Sequence, residues 1–336
     1  NRFGVELAFQ EIRQHFKSSN RYPWPPKTAE QQRFYSFITM ITRCHQRLSS
    51  TGKSRMSGML KDALKSDYGL APLVFEMKIV AHLMMREFKV NFHDMETGGG
   101  FDYLAIGDDM EFEVECKFVS GDIGRKIHQK EMHQLTTILR PKLVSALDQA
   151  HGSHLVQISI PGKLGKTANQ HQEISCLISK AIIGKKEYEK NNEYKISVTE
   201  FSFDDSPFIK FPPADFSSGY IEQYLSDKFE IEGKNTVVLF HPEKGAIIVV
   251  VQSLKEDAVL KGIHRQLKGS ANNQLTGERP GILCCELADL TEKQLLDLKE
   301  NPGDGPGLQY MVTDLICRRA QIHTVAFTTP GTVRIQ

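Results

Sequence analysis

Two short stretches hold the side chains with the greatest capacity for chemistry. Over 111–117 charged and apolar residues alternate. In an extended chain Glu111, Glu113, Glu115 and Lys117 leave one face, and Phe112, Val114, Cys116 and Phe118 leave the other. Asp102 stands just after the Gly98-Gly99-Gly100 turn, beside Phe101, Tyr103 and Leu104. Adjacent strands lie about 4.8 Å apart, so Asp102 and Glu115 could converge on one hard cation, with Lys117 beside it. Phosphodiester hydrolysis needs such a set. Carboxylates seat Mg²⁺ on a phosphate oxygen, the metal acidifies a water, and a cation neutralises the developing charge. Lys117 would position the attacking water, help deprotonate it, or stabilise the transition state. The competing reading is an amphipathic strand whose polar face meets water. Glu113, on the same face as Glu115, is the nearest substitute acid.

The elements that must carry these residues follow from periodicity and punctuation. A helix is expected over about 72–88, with Pro72 in its first turn and Val74, Ile79, Val80, Leu83 and Met84 as apolar surface. Strands follow at 89–95, 101–106 and 110–119, divided by the glycine turn and by Gly107-Asp108-Asp109. A helix over about 124–149, which Pro141 should break or kink, leads to a strand at 155–160. Residues 1–70 read as a helical region, since Phe34, Phe37, Ile38 and Ile41 recur at helical spacing after Tyr22-Pro23-Trp24-Pro25-Pro26.

Beyond Gly165 the pattern gives a helix at 171–183, a strand at 194–203, a loop at 204–218, strands at 236–240 and 246–252, a helix at 256–275, a strand at 281–287, a helix at 307–320 and a strand at 323–328. The expected domains are 1–70, a core over 71–165, and a second α/β region over 166–336. The strand, strand, helix, strand run of that last region echoes 101–160, as a degenerate internal repeat would. Its copy carries no acids, because Val249 to Ser253 stand where Glu115 and Lys117 do.

Asp102, followed by Glu115-Cys116-Lys117 within helix, strand, strand, strand, helix, strand order, resembles the PD-(D/E)xK nuclease superfamily over residues 70–161. Phe101 stands where the family name puts proline. The resemblance implies a restriction-endonuclease-like α/β core, a mixed β-sheet flanked by helices. It also implies a Mg²⁺-dependent or Mn²⁺-dependent endonuclease, and a further acid on the helix before the sheet, a place that Glu76 matches. DNA is the implied substrate, in a restriction or host-defence role, with RNA as the alternative. A catalytically silent nucleic-acid-binding or assembly protein on the same fold is the other alternative. A decayed site should lack one of Asp102, Glu115 or Lys117, and all three are kept. Specificity would come from shape, from a homodimer or from a partner protein.

Arg125, Lys126, Gln129 and Lys130 follow the acidic strand and could contact phosphate, with Lys126 and Gln129 spaced to share a helix face. A solvated helix face explains them equally well. Lys261, Arg265, Lys268, Arg279, Arg318 and Arg319 could extend a nucleic-acid track, form an interface or simply face solvent. The net charge of +1 requires any such contact to come from local patches. Six cysteines without a C-x-x-C pair indicate neither a zinc ribbon nor a disulfide framework and fit a reducing, cytoplasmic compartment. No apolar stretch is long enough to span a membrane. His128 and His133 are five apart, the wrong spacing for paired zinc ligands on a helix, and Cys116 points away from the acids as a core residue would. Thr51-Gly52-Lys53-Ser54 lacks the leading glycine of a P-loop and reads as a flexible basic loop.

Overall fold

The computed structural model describes residues 4–66, 68–150, 152–185, 188–190, 194–202, 218–231, 235–241, 243–288, 290, 295–296 and 307–329. The expected helical start is present as α1 (Gly4–Ser19), α2 (Ala29–Arg47) and α3 (Ser50–Ala63). Side-chain oxygens set where two of them begin. Thr28 accepts from the Gln31 N–H and Ser49 from the Gly52 N–H, both at 3.1 Å. Thr51-Gly52-Lys53-Ser54 is therefore the first turn of α3, not a flexible loop, and the Ser49 cap is the reason. Next comes α4 (Ala71–Met85), with proline in its first turn and Leu73, Phe75, Met77, Val80 and Leu83 buried.

The chain divides into two compact units, Asn1–Ile123 with Leu260–Gln336, and Gly124–Val259. Within the first, β1 (Lys89–Phe92), α5 (His93–Thr97), β2 (Tyr103–Ile106) and β3 (Glu111–Val119) follow α4. The short helix α5 corrects the strand expected to run on to Met95. Its C-cap Gly98 adopts φ 85° and returns the chain, with the Gly98 N–H on the Asp94 carbonyl at 2.7 Å. Late in the chain come α9 (Val259–Asn273), β9 (Gly281–Leu287), α10 (Leu308–Cys317) and β10 (Ile322–Thr328). The first sheet has the order β1-β2-β3-β9-β10, with β1-β2-β3 antiparallel and β3-β9-β10 parallel. Its core joins α2, α3 and α4 to β1, β2 and β3 through Phe37, Met56, Val80, Tyr103, Val114 and Cys116.

The second unit holds α6 (Gln129–Ala150), β4 (Ser153–Ile160), α7 (Ala168–Gly184), β5 (Tyr188–Lys190), β6 (Tyr194–Phe201), α8 (Ser218–Phe229), β7 (Thr236–His241) and β8 (Gly245–Ser253). Pro141 lies inside α6 without interrupting it, a correction to the expected break. The loop expected at 204–218 lies outside the described residues, apart from Ser218 at the start of α8. This sheet has the order β5-β6-β4-β8-β7, with β4 and β8 parallel. Between β4 and β7, β8 is apolar on both faces: Ile247, Val249 and Val251 enter one cluster, and Ala246, Ile248 and Val250 another.

The molecule is thus an α/β protein with two mixed sheets flanked by helices. The expected order of helix, three strands, helix and strand is met by different elements, because the parallel neighbour of β3 is β9 rather than β4. The expected boundaries at 70 and 165 differ from the observed division. The first helices share a core with β1–β3, and 165 falls inside the second unit. Each hairpin, β2-β3 and β7-β8, takes its parallel strand from the helix–strand segment that follows the other hairpin.

Candidate active site

At the centre of the first sheet β3 lies between β2 and β9, and its buried residues include Glu113 and Glu115, both at 0% exposure. This excludes the amphipathic strand whose acids meet water. A buried carboxylate is costly unless it is hydrogen-bonded or paired, so each of these acids needs a stated reason. Glu113 has a structural one. It accepts from the Thr276 N–H at 2.8 Å and from the Thr276 hydroxyl, fastening the segment after α9 to β3. Glu113 is consequently no substitute for Glu115.

Glu115 has no such partners. Both oxygens are buried, and among the described residues only the Lys117 ammonium reaches them. The Lys117 Nζ lies 2.5 Å from Oε1 as an ion pair, with 23% of the lysine side chain exposed. Burial first, then Asp102, pushes the Glu115 carboxyl up to about 8. Burial alone would pull the Lys117 ammonium down, but Glu115, Asp102 and Glu76 outweigh it and leave the lysine above its ordinary value.

Asp102 sits where β2 and β3 separate. The ladder ends at Tyr103↔Val114 and the Asp102 N–H still reaches the Val114 carbonyl at 3.1 Å. Beyond that the Cys116 N–H is taken by Asp102 Oδ2, at 2.6 Å, instead of by a backbone carbonyl. Upstream, Gly100 at φ 90° lies against the His93 ring, and a Cβ there would come within 3.1 Å of it. Phe101 stacks on His93 with centroids 4.1 Å apart, and the His93 N–H bonds the Asp102 carbonyl at 3.0 Å. The stacked phenylalanine thus anchors the position where the family name puts proline. Burial raises the Asp102 carboxyl to about 6, against the bond from Cys116, which lowers it.

Glu76 comes from α4, which packs on β3. Tyr103 Oη donates to its Oε2 at 3.4 Å. Burial, Asp102 and Glu115 raise the Glu76 carboxyl to about 8, and Lys117 opposes them. The four residues expected from the sequence are therefore electrostatically joined. Two more were not expected. Tyr103 touches Glu76, and Asp94, half-buried on α5, raises both Asp102 and Glu115. Asp94 escaped notice because 89–95 reads as one unbroken strand, and only the glycine that ends α5 shows otherwise.

Cys116 is a core residue, and its thiol is pushed up by burial. Arg125, Lys126, Gln129 and Lys130 belong to the second unit, whereas the acids belong to the first. Lys126 precedes α6 and so does not share a helix face with Gln129; its N–H is fixed by Asp257 Oδ1 at 2.8 Å. Of the C-terminal cations, Arg279 is held by Glu111 and Arg318 by Asp314, each at 2.7 Å, and Arg319 donates to Asn272 at 2.9 Å.

Among the described residues no group of three or more His, Cys, Asp and Glu side chains is already gathered to hold a metal. The donors nevertheless fit a hard divalent cation by type. They are carboxylate oxygens, those of Glu115 met among the described residues by the Lys117 ammonium alone. The described cysteines are all free, and no helix among the described residues is long and apolar enough to cross a membrane. No protein-family model, curated protein or solved structure matches the chain.

Proposed function

We propose that the chain is a metal-dependent endonuclease of the PD-(D/E)xK kind, hydrolysing phosphodiester bonds, of DNA in the first place. The observation that carries this reading is Glu115. It is an acid at 0% exposure in a central strand, met among the described residues by Lys117 alone, and beside an Asp102 held where two strands part. A merely structural acid would be satisfied as Glu113 is. The order α4, β1, β2, β3, then α9 and a β9 parallel to β3, also supports the family reading.

Asp102 and Glu115 would hold Mg²⁺ or Mn²⁺, with Glu76 as a further acid. Bound there, such an ion supplies charge neutralisation at phosphate and a water acidic enough to attack at neutral pH. Glu115 would hold the ion as the ionised carboxylate. Lys117, beside it and 23% exposed, would position the attacking water or neutralise charge in the transition state. Tyr103 orients Glu76, and the Cys116 N–H holds Asp102 Oδ2 in place. A cytoplasmic location and specificity from a homodimer or partner protein belong to the same proposal.

Supercoiled plasmid and single-stranded RNA incubated with Mg²⁺ or Mn²⁺ test it, beside Glu115→Ala and Lys117→Ala. Cleavage by the wild type, reduced in both variants, is expected. Undiminished cleavage in both would refute the site, and inactivity on both substrates would favour a catalytically silent nucleic-acid-binding protein.

A further inference from the structure

The first unit also carries an open groove of about 950 Å³, formed by the C-terminal ends of α2 and α4 and the exposed side of β1. Cavities of roughly 300–1,000 Å³ are of a size to enclose a small ligand, and so a short stretch of a longer chain. Three cations line it: Arg43, Arg47 and Lys89, all exposed. None makes an ion pair with another described residue, and the Arg47 guanidinium donates to the Met84 sulfur at 3.8 Å. Of the two acids in the lining, Glu96 is occupied: it accepts from the Ser49 N–H at 2.9 Å and from the Ser49 hydroxyl. Glu96 keeps its negative charge, its carboxyl held below the ordinary value by the Ser49 bonds, so three cations stand against two acids. Between the charges lie apolar side chains, Leu48, Phe88 and Leu104.

Unpaired cations beside apolar side chains in a concave groove match an unpaired nucleic-acid strand. Its phosphates meet the cations and its exposed base faces meet the apolar floor. A duplex keeps its bases stacked inside and would leave that floor uncovered. His93 lines the groove, and its backbone N–H holds the Asp102 carbonyl at 3.0 Å. The next residue, Asp94, acts electrostatically on Asp102 and Glu115.

We propose that this groove binds a single nucleic-acid strand through Arg43, Arg47 and Lys89 and delivers it to the Asp102–Glu115 carboxylates. The fate of the strand rests on the nuclease reading, whereas the binding stands without it.

Fluorescence anisotropy of the full chain in EDTA, with labelled oligothymidylate, oligouridylate and a duplex of equal length over a salt series, tests the proposal. Each phosphate contact to a single strand contributes a slope of about −0.7 in log K against log salt. Arg43→Ala/Lys89→Ala should weaken strand binding about 10-fold or more and flatten the slope by about 1.4, as two lost contacts require. Both residues are exposed, so the melting temperature should not move. Lys17→Ala/Arg21→Ala, removing equal charge from α1 and the loop after it, should bind as the wild type. Tighter binding of thymidylate than uridylate, or the reverse, would say which nucleic acid the groove takes, and either supports it. Absence of strand binding, an unchanged affinity and slope in Arg43→Ala/Lys89→Ala, or a duplex bound as tightly as the strand would overturn the proposal. Strand binding lost in that variant while the wild type cleaves nothing would sustain the groove and sink the nuclease reading. Cleavage with binding indifferent to Arg43 and Lys89 would do the reverse.

Discussion

Glu115 and Glu113 lie two residues apart on one strand, equally buried, and differ only in their partners. The Thr276 N–H and hydroxyl satisfy Glu113. Removing that hydroxyl with Thr276→Val should cost about 1–3 kcal/mol, the range for a buried group left short of a partner, read by denaturant unfolding. Divalent-ion binding should persist in that variant. Glu115 predicts the opposite. Glu115→Gln should abolish cleavage yet raise stability in EDTA by about 1–3 kcal/mol at pH 8, because it removes a carboxyl that burial raises to about 8 and that Lys117 alone offsets among the described residues. Lys117→Ala should lower kcat about 10²–10³-fold with the fold intact, the scale on which one transition-state donor acts.

Proton linkage gives these acids a pH signature. Folded Glu76 and Glu115 titrate near 8 and Asp102 near 6, above the value of about 4 for exposed carboxyls. The folded chain therefore holds the extra protons between these limits. The stability they contribute is complete below about pH 4 and is lost as pH rises through 6 to 8. Melting temperatures in EDTA should fall over that window in the wild type and fall less in Glu115→Gln. The alternation of 111–117 made Glu115 and Lys117 legible from sequence. The fate of each acid depended on what the far end of the chain places opposite it, and no local pattern shows Thr276 reaching Glu113.

At the scale of elements, helices and strands with a clear period were legible, and their ends were not. The run 89–95 reads as one strand because Val90, Phe92 and Met95 are apolar, but Gly98 in the left-handed region closes α5 and brings Asp94 back toward Asp102. Gly98 also leaves room for Arg55, whose Nη2 lies 2.8 Å from where a Cβ would stand. Gly98→Ala should therefore cost about 1 kcal/mol or more in stability, through an αL conformation that alanine tolerates poorly and through displacement of Arg55. The α3 cap was missed for a comparable reason: the motif beginning at Thr51 draws attention to phosphate loops, while the deciding residue is Ser49 before it.

At the scale of the whole molecule, the α/β class was legible and the pairing of strands was not. Sequence neighbours usually pair, so β4 was the natural fourth strand of the core, and β9 takes that place instead. Nothing in the composition of Gly281–Leu287 distinguishes a neighbour of β3 from a neighbour of β8, since β4 and β9 are both largely buried strands that carry polar residues among apolar ones. One consequence is testable by hydrogen exchange. A chain ending after Val259 lacks β9, and the amides of Glu111–Val119 should exchange far faster in it than in the intact protein, because β3 has lost its parallel partner.

The central claim is that Asp102 and Glu115 of the intact chain hold a divalent cation. Calorimetric titration of the intact protein with Mn²⁺ at pH 7, in two buffers of different ionisation enthalpy, tests it most directly. The expected result is saturable binding with net proton release, since acids raised to about 6 and about 8 must ionise to coordinate, and loss of that binding in Glu115→Gln. Absence of Mn²⁺ binding, or binding of equal strength with the same proton release in Glu115→Gln, would contradict it.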